Sequence, residues 1–150
     1  MSAPTVAGSL LLLQQQFQNC NGSGNMMNAA TLKALVIHTA DECGPSTGPD
    51  YMFGWGLMNT LKAAKLISQS PGRNTIEELS VRKGETYQRI VKADPGEPLR
   101  VTICWTDLPG SPAEASLDPE DIMLINNLNL KVTAATETFY PWKLDKDNPD

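Results

Sequence analysis

Ser2 and His38 are the two side chains in this sequence that invite comparison with nucleophilic catalysis. Ser2 opens an apolar segment, and His38, the only histidine, ends another. A serine becomes a good nucleophile when a base lies within hydrogen-bond reach and a third group orients that base. Nothing near His38 in the sequence offers both partners. We therefore predict a structural or helix-end role for His38, where a partial positive charge suits the helix dipole.

Carboxylates concentrate in one loop, at Asp118, Glu120 and Asp121, with Asp107 not far before it. Calcium takes about six to eight oxygen ligands, commonly from loops of this kind. A solvated acidic loop is the alternative, and the sequence favours it. No cofactor is predicted with certainty, and calcium is the one ion that the pattern leaves open.

Two aromatic side chains, Tyr140 and Trp142, alternate near the end of the sequence. Such a pair could stack a sugar ring or a peptide, as in a binding module. Paired aromatic residues at the end of a strand more often pack in a core or at its rim, and we expect that role here.

The three cysteines, Cys20, Cys43 and Cys104, have no C-x-x-C spacing. An odd number of cysteines without this spacing suggests neither a disulfide framework nor a zinc site. Cys20 and Cys43 flank opposite ends of the second predicted helix, and a rise of about 1.5 Å per residue holds those ends beyond the reach of a disulfide. We expect free, mostly buried thiols.

The bulk composition limits the classes of function. With 150 residues, 41% of them hydrophobic, the chain can form one ordinary domain or parts of two. Its net charge of -5 argues against a nucleic-acid or anionic-membrane partner, which would need a basic face. The leucine run at 10–13 is too short for a membrane span of about 20 apolar residues. A signal peptide would require a positive charge before this run, and the sequence has none there.

Ser2 and His38, the candidate catalytic residues considered above, lie in segments that are predicted to be helical. Apolar residues cover most of the helical circumference over residues 1–17, which is typical of a helix buried in a larger domain. A second, amphipathic helix is predicted over 28–39 with Asn28 as its cap, and a third from Asn59 or Thr60 to residue 67. Between them, glycines alternate with aromatic residues over 50–59, which suggests tight turns packed under rings. On the second and third helices, the apolar residues expected to face the core are Ala30, Leu32, Leu35, Val36, Ile37, Leu61, Ala64 and Leu66.

The rest of the chain has an extended pattern. At residues 68–74 the period changes, and we place a domain boundary there, between 1–70 and 71–150. Segments rich in Val, Ile, Thr and Tyr predict strands at 76–81, 86–93, 99–105 and 128–133. Strands punctuated by turns indicate an antiparallel sandwich or barrel, with Val101, Ile103 and Trp105 on the core face. The predicted fold class is therefore α+β.

Residues 1–8, Met-Ser-Ala-Pro-Thr-Val-Ala-Gly, resemble the continuation of the subtilisin-like serine peptidase signature Gly-Thr-Ser-Met-[Ala/Ser]-[Ala/Ser]-Pro-x-Val-[Ala/Ser]-Gly. In that register the nucleophilic Ser would directly precede Met1. Met1, Ser2, Ala3 and Pro4 then flank the catalytic position, and no catalytic residue lies in this chain. The signature allows Ala or Ser at the position of Ser2, so we do not expect Ser2 to be the nucleophile.

Further segments resemble the same family. Residues 51–59 are similar to its Tyr-Gly-x-Gly-Leu-[Ile/Val/Met]-[Asn/Asp], which leads into the last helix of the peptidase domain, and His38 lies in a stretch that is not the catalytic histidine motif. Residues 101–110 and 125–132 resemble the jelly-roll domain that follows the catalytic domain in one group of subtilases. That group is often calcium-stabilised, but Asn127 and Asn129 replace aspartates of its pattern.

The resemblance implies both a fold and a function. The fold would be the C-terminal helices of a subtilisin-like α/β domain followed by a partial antiparallel jelly-roll β-sandwich. The function would be that of a secreted endopeptidase, extracellular or periplasmic, which cleaves protein or peptide substrates with a Ser-His-Asp triad. Because the triad falls outside this chain, we expect the piece to be inactive and to pair with the remainder of the same polypeptide. The alternative is a non-catalytic β-sandwich module that binds a partner or carbohydrate.

Overall fold

The computed structural model describes residues 2–45, 47–70, 75–117, 119 and 121–142. The regular elements of these residues are the helices α1 (Ser2–Asn21), α2 (Ala29–Thr39) and α3 (Thr60–Gln69) and the strands β1 (Val132–Ala134) and β2 (Glu137–Phe139). Helix α3 packs against both α1 and α2. The coarse α+β class and the three predicted helices are confirmed.

Helix α1 begins and ends as its sequence dictates. Pro4 lies in the first turn, where the amide that proline lacks would have no partner inside the helix. The helix ends before Gly22, whose φ of 99° lies in the left-handed region that favours glycine. The amide of Gly22 donates to the carbonyl of Gln18 at 2.8 Å and closes the last turn.

The other two helices begin differently. Asn59 caps α3 as predicted, because its Oδ1 accepts the amide of Lys62 at 2.9 Å. Asn28 precedes α2 as predicted but makes no side-chain cap. Instead Glu78 accepts from the amide of Asn28 at 2.7 Å, from its side-chain Nδ2 at 2.6 Å and from Thr31 Oγ1. A carboxylate 50 residues downstream therefore caps α2.

The apolar core lies among the three helices. Of its predicted members, Leu35 is buried, but Leu61 is 65% exposed. The face of α3 that packs inward carries Ala63 and Ile67, one helical turn apart, which places Leu61 on the outer side. The buried apolar side chains are those of Leu13, Met27, Leu35, Ala63 and Ile67, with Leu10, Phe17, Leu32, Met58, Ala64, Leu66 and Ile76 packed against them.

The structure differs from the sequence-based prediction mainly in its strands. Residues 76–81, 86–93 and 99–105 form no strand, and of the segment 128–133 only Val132 and Thr133 belong to one. A strand is stabilised by a hydrogen-bonded neighbour, and the described residues contain one such ladder, the antiparallel pair β1 and β2. Val101 and Ile103, predicted for a sheet core, are each 41% exposed. A jelly-roll topology stays a prediction.

Two of the predicted strands nevertheless lie near each other. The amide of Glu85 donates to the carbonyl of Arg82 at 2.9 Å and closes the turn between them. Beyond this turn, Tyr87 Oη donates to Glu77 at 2.9 Å, and Arg89 forms an ion pair with Glu77. Side chains rather than a backbone ladder connect 76–81 with 86–93.

The proposed boundary at 68–74 is only partly described. Helix α3 ends at Gln69, within that stretch, and residues 71–74 lie outside the described part of the chain. The division into 1–70 and 71–150 stays a prediction. The two parts are in contact, because Ile76 packs against the helical core and Glu78 caps α2.

Candidate active-site scaffold

The first turn of α1 carries the motif predicted to flank the nucleophile. Ser2, Ala3 and Pro4 are helical and exposed, and Met1 lies outside the described residues. The first turn contains no acidic residue. Its amides therefore present the positive end of the helix dipole without a carboxylate of the same turn to offset it.

The second half of α1 fixes the helix in place. Leu13 is 1% exposed and Gln14 is 8% exposed. Gln14 Nε2 donates to the carbonyl of Met27 at 2.8 Å, and the amide of Met27 donates to Gln14 Oε1 at 2.8 Å. This paired contact ties α1 to the residues just before α2. Because both partners are buried, both polar groups of Met27 depend on Gln14.

The role of Gln14 was not predicted, although the sequence contains a signal for it. Gln14 shares the inward spacing i, i+3, i+4, i+7 with the apolar residues Leu10, Leu13 and Phe17. A polar residue on that stripe must find a buried partner. The spacing could therefore have predicted an inward hydrogen bond.

The opposite face of α1 is exposed in this chain. Val6, Leu11 and Leu12 are 38%, 70% and 62% exposed. Within the described residues, α1 is therefore packed on one face only, and not around most of its circumference as its composition suggested.

The segment after α2 forms a tight loop closed by backbone pairing. The amide of Asp41 donates to the carbonyl of Leu57 at 2.8 Å, and the reverse bond is 2.9 Å. Gly56 has a φ of 95°, and a Cβ atom built on it would lie 2.1 Å from the carbonyl oxygen of Asp41. Only glycine allows this approach.

Asp50, rather than aromatic packing, organises the centre of this loop. Its side chain is 7% exposed, and its Oδ1 accepts the amides of Met52 and Phe53 at 2.8 and 2.5 Å. Tyr51, Phe53 and Trp55 are 60%, 49% and 49% exposed. The predicted tight turns are present, with Gly54 and Gly56 at positive φ, but the prediction that they pack under rings is wrong, because carboxylate-to-amide bonds hold the turn.

His38 lies in the last turn of α2, half-buried beside the downstream segment. Its Nδ1 is 2.9 Å from Thr102 Oγ1, and its carbonyl accepts from Arg100 Nη1 at 2.7 Å. Burial and, second, the charge of Arg100 lower the pKa of His38, so the neutral ring predominates at pH 7. The positive charge expected of His38 at this helix end is supplied by Arg100 instead. A triad base is oriented by a carboxylate, whereas the charged group beside His38 is the cation Arg100.

Asp107, a candidate calcium ligand, has another role in the structure. Its carboxylate accepts from the amides of Leu108, Ile125 and Asn126 and from Asn126 Nδ2, at 2.7 to 3.2 Å. The bond from the Asn126 amide is the first cause of its lowered pKa. Trp105 Nε1 also donates to the carbonyl of Asn126, at 3.0 Å. Asp107 therefore anchors the loop at 125–126.

The acidic loop at 118–121 can be followed only in part. Asp118 and Glu120 lie outside the described residues. Among the residues that the structure does describe, no group of three His, Cys, Asp or Glu side chains could hold a metal ion. The solvated acidic loop stays the prediction, with calcium binding as its alternative.

The remaining candidates are exposed or half-exposed. Tyr140 and Trp142 are 73% and 61% exposed. The indole of Trp142 lies against Gly48, where an added Cβ would approach it to 2.7 Å. All three cysteines are free thiols, but Cys20 is exposed and Cys43 and Cys104 are half-buried, so the prediction that they are mostly buried is wrong. None of the described helices is long and apolar enough to cross a membrane.

Comparisons with known proteins agree with the N-terminal motif. Residues 1–56 match the model of the subtilase family. Searches of curated proteins and of solved structures return no match. The matched residues comprise α1, α2 and most of the glycine-rich loop, the same elements whose motifs resemble the family. Over this segment, about a third of the chain, the sequence is similar to the subtilisin-like peptidases.

Proposed function

We propose that this chain is a piece of a secreted subtilisin-like serine endopeptidase, which hydrolyses peptide bonds with a Ser-His-Asp triad. In this proposal the nucleophilic serine directly precedes Met1, and the catalytic His and Asp lie further upstream. The observation that carries it is the family match over residues 1–56, whose first residues form the exposed first turn of α1.

The position at the start of α1 suits acyl transfer. Attack of a serine on a peptide carbonyl gives a tetrahedral intermediate with a negatively charged oxygen, and preorganised amides stabilise that charge. The N-terminal amides of α1 provide a fixed positive potential there. Leu13 and Gln14, buried in the second half of the helix, keep this end in a fixed direction.

The large exposed surface supports the view that more polypeptide covers the chain. Its accessible surface is 12265 Å², whereas a compact chain of 16.3 kDa exposes about 7,500 Å². The outer face of α1, with Leu11 and Leu12, accounts for part of this surface. In the intact enzyme we expect the rest of the catalytic domain to cover that face, and protein or peptide substrates to bind outside this chain.

We also propose that the downstream region is the beginning of a jelly-roll domain. Its support is the alternating, β-branched composition of residues 76–133 and the antiparallel hairpin of β1 and β2. Strands supplied by further polypeptide would pair with these extended segments, because an unpaired strand edge readily accepts a neighbour. The piece by itself is expected to be inactive.

The test is active-site labelling of a longer polypeptide that includes the natural upstream sequence. A fluorophosphonate probe should label the serine that directly precedes Met1, and replacing that serine by alanine should abolish labelling. Ser2→Ala in the same polypeptide is the matched control and should retain labelling. Residues 1–150 alone should remain unlabelled. Labelling at Ser2, or an upstream sequence without Gly-Thr-Ser or a close variant, would contradict the proposal.

A further inference from the structure

A cleft of about 270 Å³ lies between the end of α2, the outer side of α3 and the downstream segment. Its polar lining comes from His38, Thr39, Lys62, Lys65, Gln69 and Arg100. We call it the basic cleft. It is separate from the first turn of α1, which the proposed peptidase function uses.

The basic cleft has an excess of positive charge. Among the described residues that line the cleft, three are cations and none is a carboxylate. Lys62 is paired with Asp41, which lies outside the lining. Lys65 has no ion-pair partner among the described residues. Two unneutralised positive charges, those of Lys65 and Arg100, therefore border the cleft in a chain whose net charge is -5.

Arg100 is held at the wall of the cleft by a defined contact. One of its guanidinium nitrogens donates to the carbonyl of His38 at 2.7 Å. A guanidinium has about five N–H donors in a rigid fork that suits the oxygens of carboxylate or phosphate. The fork therefore has donors to spare after this bond. The charge of Arg100 also contributes, after burial, to the lowered pKa of His38.

We propose that the basic cleft binds a small divalent oxyanion, such as phosphate or sulfate, through Arg100 and Lys65, with Lys62 as a third cation. A dianion matches the two unneutralised charges, whereas a single carboxylate would neutralise only one. Bound there, the anion would bridge α3 and the segment that carries Arg100. It would thus strengthen the contact between the helical and downstream regions.

The test uses inorganic phosphate on the whole chain, with ionic strength held constant by sodium chloride. The only histidine of the sequence, His38, lines the cleft, so its imidazole proton resonances report on the site directly. We expect a saturable shift on addition of phosphate. Sulfate should compete with phosphate, and acetate should bind at least about tenfold more weakly because it carries one charge.

Variants decide whether the shift reports the cleft. Lys65→Met should weaken phosphate binding at least about tenfold, and Lys65→Arg should restore it. Arg100→Met should also weaken binding, but this change removes the contact with His38 as well. The Lys65 variants therefore give the decisive test. Lys83→Met, in the exposed turn at 82–85, should leave binding unchanged. A linear shift that chloride reproduces would overturn the proposal, and so would equal binding by Lys65→Met and Lys83→Met.

Discussion

The helical region, residues 2–69, and the downstream region, residues 75–142, contain similar amounts of apolar sequence but differ in how much of it is buried. Every buried side chain that the structure describes belongs to the helical region, and none belongs to the described part of the downstream region. Ile90 and Val91, in a segment with high strand propensity, are 101% and 50% exposed. The difference follows from backbone chemistry. A helix satisfies its amides internally and only needs a face to bury, whereas a strand also needs a hydrogen-bonded neighbour.

The two regions make polar contacts at both ends of α2. Glu78 binds the amide and side chain of Asn28 at the start of the helix, and Arg100 binds the carbonyl of His38 at its end. An acidic group at the N-terminus and a basic group at the C-terminus both complement the helix dipole. The downstream region therefore stabilises the helical region even without a core of its own.

The largest expected effect is on the helical core. Leu13→Ala should lower the free energy of unfolding by about 2 to 5 kcal/mol, because it opens a cavity at a site that is 1% exposed. The adjacent Leu12→Ala, at a site that is 62% exposed, should change it by no more than about 0.5 kcal/mol. Urea unfolding followed by circular dichroism at 222 nm measures both. Equal losses for the two variants would mean that α1 does not pack in the orientation described.

The second prediction concerns the polar anchor of α1. Gln14→Leu should cost about 1 to 3 kcal/mol, because it leaves the amide and carbonyl of Met27 buried without their partner. Gln15→Leu, on the exposed side of the same helix, is the control and should be close to neutral. If Gln14→Leu were as stable as the control, the hydrogen bonds to Met27 would contribute nothing to stability.

A smaller effect is expected where the two regions meet. Glu78→Gln keeps the shape of the side chain but removes the charge at the start of α2, so we expect a loss of about 0.3 to 1 kcal/mol. The loss should shrink in about 1 M sodium chloride, where charges more than about 3 Å apart are screened. Glu114→Gln, at an exposed downstream position, should have no comparable effect. A loss that salt leaves unchanged would indicate that hydrogen-bond geometry, not charge, stabilises this end of α2.

The comparison also shows what sequence can predict. Helices α1, α2 and α3 follow from local periodicity, and the Asn59 cap follows from residue type, because the interactions that define them lie within a few residues. The strands could not be located from β-branched composition alone, since pairing depends on a partner elsewhere. Likewise, the cap that Glu78 provides for α2 spans 50 residues and leaves no local signal. The motif at the start of α1 was recognisable because its chemistry is local.

The smallest effect should come from the pH dependence at the other end of α2. Because the pKa of His38 is lowered in the folded chain, the unfolded chain binds its proton more readily, and stability should fall as pH drops from about 6.5 through the lower folded value. Arg100 and Thr102 contact His38, and Lys62 and Lys65 border the same cleft, so protonation adds a positive charge to an already positive place. The pKa values of Asp41 and Asp107 are also lowered, but their contributions are lost only below about pH 4.

Urea midpoints compared between about pH 7.5 and pH 5.5, in a buffer without phosphate or sulfate, therefore isolate His38 from those two carboxylates. The midpoint of the wild-type chain should fall over this range, and that of His38→Gln should stay nearly constant. Since His38 is partly accessible to solvent, the fall should be smaller than the loss caused by Glu78→Gln. An equal fall in His38→Gln would mean that another group controls this pH range. Among the described residues, the bond from Arg100 to the carbonyl of His38 would then be the electrostatic contact that stabilises this end of α2.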